Sequence, residues 1–161
     1  WEGIVGRGHS PEHACLYDEQ RNILISGDQI LPTISPNVSV WPTEPLANPL
    51  KDWFASLKKL KSRMPEDVLV LPAHGKPFRG AHLRLNELAK EHADRLDVLL
   101  DIGAEPMRVV DTFESLYSAR IGDSNRIMAT GEAIAHLHYL CDTGQMNAVE
   151  DKNGVKYYQR A

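Results

Sequence analysis

Several things are scarce in this sequence, and each scarcity closes off a class of function. No run of about eighteen apolar residues occurs, so no segment reads as a membrane span. The opening Trp1-Glu2-Gly3-Ile4-Val5 shows no basic, apolar, small-residue order, so no signal peptide is read there. Cysteine is limited to Cys15 and Cys141, far apart and without a Cys-x-x-Cys pairing. Both sit among apolar neighbours, where a buried thiol behaves as a small hydrophobe, so no disulfide framework is expected and a reducing, cytoplasmic compartment is. An excess of positive charge is also missing. Eighteen Lys and Arg face 22 Asp and Glu, a formal charge of -4 that invites neither nucleic acid nor an anionic membrane surface. There is no internal repeat and no low-complexity tract.

What is present reads as an ordered globular chain. Hydrophobic residues at 42% and charged residues at 25% argue against disorder, and 161 residues suffice for one domain or for a partial domain with a small one. The first five residues look like part of a strand. His13-Ala14-Cys15-Leu16-Tyr17 and Asn22-Ile23-Leu24-Ile25-Ser26 predict a hairpin ending at Gly27-Asp28. Residues 29–50 hold five of the ten prolines and predict a long irregular loop, a length that usually carries function. Leu50, Trp53, Phe54, Leu57, Leu60 and Met64 stand at helical spacing and stop at Pro65. Asp67–Leu71 predicts a buried strand, followed by the turn Pro72-Ala73-His74-Gly75 and a long helix from about Ala81 to Leu100.

Beyond this point the pattern changes. Gly103-Ala104-Glu105-Pro106 reads as a linker, and Val109, Val110, Phe113, Leu116 and Tyr117 as the face of a helix. Gly122-Asp123-Ser124 offers a cap for another helix carrying Ile127, Ile134, Leu137 and Cys141, ended by Gly144. Two strand patterns then flank Asp151-Lys152-Asn153-Gly154, a hairpin signal. Helices followed by such a hairpin predict a winged-helix module.

Three residues could carry chemistry: His9, Asp28 and His74. Each lies where a strand ends or a turn begins, beside glycine, so each side chain can be aimed at a shared cleft. Imidazole and carboxylate are ligands of zinc and similar cations, and a carboxylate can bridge two ions. Spacing alone leaves the alternative open, since a lone histidine at a strand end more often satisfies local hydrogen bonds.

The words around these residues narrow the choice. Gly8-His9-Ser10-Pro11-Glu12-His13, then Gly27-Asp28-Gln29-Ile30-Leu31, then Leu71-Pro72-Ala73-His74-Gly75 resemble, in that order, the later motifs of the metallo-β-lactamase superfamily. The resemblance implies an α/β fold: the C-terminal half of an αββα sandwich over residues 1–103, followed by a winged-helix domain over 104–161. It implies that His9 is the third ligand of a first metal, that Asp28 bridges two metals and is catalytic, and that His74 completes the second site. The two divalent ions would be zinc, or else iron or manganese. His13 matches a histidine of the motif that is not a ligand. Glu12 stands where many members have glycine and is a candidate substrate-facing carboxylate. Trp41, in the proline-rich loop, is a candidate substrate contact or a packing residue.

One departure is informative. The family's His-x-His-x-Asp-His word, which supplies four ligands, is absent. His136-Leu137-His138 cannot replace it, because residues two apart on a helix face different ways. With three of seven ligands, the chain is expected to be the C-terminal part of a larger enzyme, to bind metal weakly or not at all, and to be inactive alone. It would lack its N-terminal half, and its uncovered apolar surface would favour self-association.

The implied reaction is water attack on a thioester or similar carbonyl of a small-molecule substrate. An endoribonuclease-like reaction is the alternative. A non-catalytic or DNA-binding winged-helix module is the rival of another class. Against DNA, residues 104–161 carry Arg108, Arg120, Arg126, Lys152, Lys156 and Arg160 but eight acids, and the helix from Ser124 to Thr143 has one arginine and two acids.

Overall fold

The structure, a computed structural model, describes residues 1–118 and 121–161; Arg120, counted above among the cations, lies outside them. The chain forms two compact units, Trp1–Val38 with Lys51–Glu91, and Ser39–Leu50 with His92–Ala161. The division read from sequence, at residues 103 and 104, does not coincide with this one. The second unit takes in the last part of a long helix and the latter half of the proline-rich loop.

The first unit is built on a four-stranded mixed sheet. Strands β1 (Glu2–Gly6), β2 (His13–Asp18) and β3 (Ile23–Gly27) run antiparallel in sequence order, and β4 (Leu69–Pro72) joins β3 in parallel. A parallel partner needs a crossover, and the excursion from β3 to β4 contains helix α1 (Pro49–Arg63). Alternation along the strands sorts the residues. Ile4, Cys15, Tyr17, Leu24 and Val70 share one face and are buried, together with Trp53, Leu57 and Leu60 of α1 and Leu85 and Leu88 of α2 (Ala81–Ile102).

The opposite face is apolar as well. Gly3, Leu16, Ile25 and Leu71 stand side by side across the sheet, with Val5 beside Ala14. Leu16, Ile25 and Val5 are about two-fifths exposed, at 41%, 39% and 40%. Strands that are apolar on both faces are the pattern of a sheet covered on both sides.

In the second unit, the last part of α2 is followed by a 3-10 turn (Val109–Thr112), α3 (Phe113–Leu116), α4 (Arg126–Asp142) and the antiparallel pair β5 (Met146–Glu150) and β6 (Lys156–Arg160). The hairpin forms as expected, with Gly154 at φ +80° and the Asp151 carboxylate accepting from the amides of Asn153 and Val155, each at 2.9 Å.

Three local readings need correction. The helix expected through Tyr117 is only a 3-10 turn and one α-turn. The β-branched pair Val109-Val110 is a weak helix former, Arg108 and Asp111 close on each other at 2.7 and 3.0 Å, and Tyr117 leaves in an extended conformation. The stretch read as a linker is stitched to β6. The Arg160 amide donates to the Gly103 carbonyl at 2.8 Å, and Met107 exchanges two backbone bonds with Tyr158. Helix α4 takes Asn125 as its N-cap rather than the Gly122–Ser124 word, and Asn125 Oδ1 accepts from the Gly122 amide.

Candidate metal centre

Strand ends place the candidate ligands. Asp28 follows the last residue of β3, and His74 lies just past the end of β4. Because these strands are parallel, both residues emerge at the same end of the sheet. The Ala73 amide donates to the Gly27 carbonyl at 3.0 Å, which ties the two exits together. His9 comes from the turn after β1, next to Gly8 at φ +107°.

The three side chains meet at Asp28. His9 Nε2 lies 3.8 Å from Asp28 Oδ2, and His74 Nε2 lies 3.4 Å from Asp28 Oδ1. Each imidazole therefore faces a different oxygen of one carboxylate. Two donors on a tetrahedral zinc, each at roughly 2.0–2.1 Å, stand about 3.3–3.4 Å apart, so these separations are close to those of neighbouring ligands.

The donor set fits divalent ions in two further respects. Asp28 Oδ1 is buried and accepts no hydrogen bond. His9 Nδ1 lies 2.9 Å from the Asn37 carbonyl, so it carries the proton and leaves the Nε2 lone pair directed at the carboxylate. Among the described residues, no three His, Cys, Asp or Glu side chains converge on one point, and the arrangement is two pairs sharing an aspartate.

The neighbouring residues explain the motif words. His13 Nε2 lies 3.1 Å from the Ser26 carbonyl, which makes it a packing and hydrogen-bonding histidine in this structure. Gly27 is required beside it, since the backbone there has φ +54° and a Cβ would stand 2.4 Å from His13 Nε2. Gly75, at φ +86°, leaves room for Pro32, whose Cγ would be 2.6 Å from an added Cβ. The glycines flanking Asp28 and His74 are thus places of close approach.

Glu12 is exposed, and its carboxylate lies 3.4 Å from Arg7. Trp41 belongs to the second unit. It is 46% exposed and lines an apolar groove of about 350 Å³ with Pro45, Ile127, Gly131 and Ile134. Both cysteines are free thiols. Cys15 is fully buried, and burial pushes its thiol up to about 12, so it is inert packing.

Two features were not read from the sequence. Arg84 is buried although charged, and its position on the same helical stripe as Ala81, Leu85 and Leu88 was the available signal. In the second unit, His92 and His136 form a buried pair with Nδ1 and Nε2 3.1 Å apart. His136 Nδ1 donates to the Glu132 carbonyl at 2.8 Å, so His136 Nε2 accepts from His92. Burial holds both rings well below the usual histidine range, at about 3 and about 4. His138 turns elsewhere, with Nδ1 2.9 Å from the Ala47 carbonyl, so His136 and His138 do not act together.

Comparison with known proteins bears on the family of the chain. Residues 1–74 match the model of the metallo-beta-lactamase superfamily, and residues 96–161 match that of a metallo-beta-lactamase-like C-terminal domain. A beta-lactamase domain protein from Burkholderia ambifaria is 42% identical in sequence and superposes with a TM-score of 0.94, over 100% of this chain and 47% of its own. A metallo-beta-lactamase family protein from Thermus thermophilus is 29% identical with a TM-score of 0.82, over 99% of this chain and 49% of its own. A Bacillus subtilis (strain 168) protein named "Probable metallo-hydrolase YqjP" is 24% identical over 144 residues, 87% of this chain and 44% of its own. The chain spans a little under half the length of each of these relatives. With three motif words in order, their residues gathered on one carboxylate, and two matching models covering most of its length, the chain belongs to the metallo-β-lactamase superfamily.

Proposed function

We propose that this chain is the C-terminal portion of a metal-dependent hydrolase, and that His9, Asp28 and His74 are its contribution to a dinuclear centre. The observation that carries this reading is the division of Asp28, with Oδ2 facing His9 and Oδ1 facing His74. Zinc suits the donor set best, and iron or manganese would also accept it. When bound, such ions lower the pKa of water and polarise the bond under attack.

The chain's own residues supply position. Asp28 would hold the two ions at a fixed separation, His9 would be kept in one tautomer by the Asn37 carbonyl, and His74 would close the second site. The substrate is a thioester or a similar small carbonyl compound, and phosphodiester cleavage in RNA is the alternative chemistry at the same centre. The apolar indole of Trp41 suits a small organic substrate, and Glu12 is the candidate for a polar contact. The second unit, with α4 and a two-stranded hairpin, we read as a winged-helix module in a structural or protomer-pairing role. Its low cation count argues against DNA, and we place the protein in the cytoplasm.

The test is zinc binding by the whole chain, followed by calorimetry. We expect weak binding, reduced at least about tenfold by Asp28→Asn and by His74→Ala. Zinc binding unchanged in both variants would overturn the assignment. The second arm joins the chain to an upstream segment carrying the missing His-x-His-x-Asp-His word. Hydrolysis of a thioester reporter is expected, lost again in Asp28→Asn. No hydrolysis of thioester or RNA by a folded, metal-loaded protein would favour a non-catalytic module.

A further inference from the structure

Arg84 uses its guanidinium on a loop, not on a surface. It lies in α2, 8% exposed, and three of its nitrogens donate to four acceptors through their planar fork. Nε donates to the Leu31 carbonyl at 2.8 Å and Nη2 to the Ile34 carbonyl at 3.1 Å. Nη1 meets Glu87 and Glu91, each at 3.1 Å. Two carboxylates thus hold the fork in place, and the fork holds two carbonyls of the irregular segment that follows Asp28.

That segment reaches each candidate ligand or its chain neighbour. Asp28 is at its start. Pro32, next to a carbonyl that Arg84 holds, fills the space left by the missing Cβ of Gly75, the neighbour of His74. Asn37, three residues past the other held carbonyl, supplies the acceptor for His9 Nδ1. No regular secondary structure lies between Asp28 and Asn37 to fix these positions. A backbone with no ladder of its own needs outside partners, and the described partner that reaches two of its carbonyls at once is Arg84.

We infer that Arg84 is a positioning residue for the metal centre: by clamping the Leu31 and Ile34 carbonyls it sets the loop that orients His9 and packs beneath the His74 turn. This rests on the reading of His9, Asp28 and His74 as metal ligands. It adds a residue outside the motif words, acting through Asn37 and Pro32 and not by touching metal or substrate.

The experiment reads the imidazole tautomers by nitrogen NMR in the full chain without metal, at neutral pH. The wild-type His9 ring is expected as the Nδ1–H tautomer. In Arg84→Lys, which keeps the charge but cannot span two carbonyls, His9 should become a mixture of tautomers. His13 and His136, held by Ser26 and Glu132, should stay unchanged and report that the fold is intact. Arg84→Met should do the same if it folds. A zinc titration of the same samples should show affinity reduced by about tenfold or more in Arg84→Lys. A folded Arg84→Lys protein with the wild-type His9 tautomer would overturn the inference, as would loss of order at all three histidines together. If the wild-type chain, with three of the seven implied ligands, binds no zinc, the tautomer result still decides whether Arg84 orients His9.

Discussion

At the scale of single residues, the glycines and the buried histidines give the sharpest expectations. Gly27→Ala must place a Cβ 2.4 Å from His13 Nε2 on a backbone at φ +54°. Strain of this kind costs about 1–3 kcal/mol, and displacing His13 from the Ser26 carbonyl adds to it. Urea denaturation of the variant should show a midpoint well below that of the wild type, with an unchanged slope. The His92–His136 pair makes a prediction about acid. Folded values of about 3 and about 4 lie below the value near 6.5 expected in the unfolded chain, so the unfolded state binds more protons at mildly acid pH. The stabilisation by neutral burial is complete above about pH 6.5 and is lost as pH falls towards 4. At pH 5 the loss is roughly 2 kcal/mol for each ring, with the Arg95–Glu132 ion pair (3.1 Å) nearby. Thermal melts at pH 7, 6 and 5 should fall by several degrees, and a flat profile would contradict the burial. Sequence made His9, Asp28 and His74 legible because each stands in a distinctive word beside glycine. Asn37 and Arg84 were not legible, since a backbone carbonyl has no side-chain signature and one arginine on an apolar helix stripe is silent about which carbonyls it reaches.

At the scale of elements, the sheet has two apolar faces. Periodicity and punctuation sufficed for α1, α2, α4, the β2–β3 hairpin, β4 and the β5–β6 hairpin, each within a few residues of its expected place. They failed between Gly103 and Tyr117, where a long-range bridge from Met107 to Tyr158 and the Arg108–Asp111 contact decide the conformation. Periodicity reports one helix or strand against its core, and these contacts link positions about fifty residues apart or close a single turn. The row of Leu16, Ile25 and Leu71, the first two exposed, carries a consequence of its own. Light scattering should detect concentration-dependent self-association of the chain, and Leu16→Lys should reduce it, since a charge in the middle of that row must be desolvated on pairing. A wild-type chain that stays monomeric at high concentration would argue that this face needs no cover.

At the scale of the whole molecule, the ligand count and the length agree. Candidates for three of the seven ligands that the family resemblance implies lie on a chain spanning a little under half of its relatives. Weak zinc binding by this chain and activity only when the upstream ligands are supplied are two sides of one expectation. The two compact units also divide labour unequally: the first holds every candidate ligand, and the second holds the Trp41 groove and the buried histidines.

The parallel pairing of β3 with β4 has one more consequence. The distance from Asp28 to His74 is set at the sheet's end, by the register of two neighbouring strands and the bond from Ala73 to Gly27, and not by the length of chain that joins them. Outside the segment from Leu31 to Asn37 and the buried face of α1, residues of that excursion are therefore free to drift while Asp28 and His74 keep their spacing. A lineage could retailor those exposed stretches without changing the spacing of Asp28 and His74.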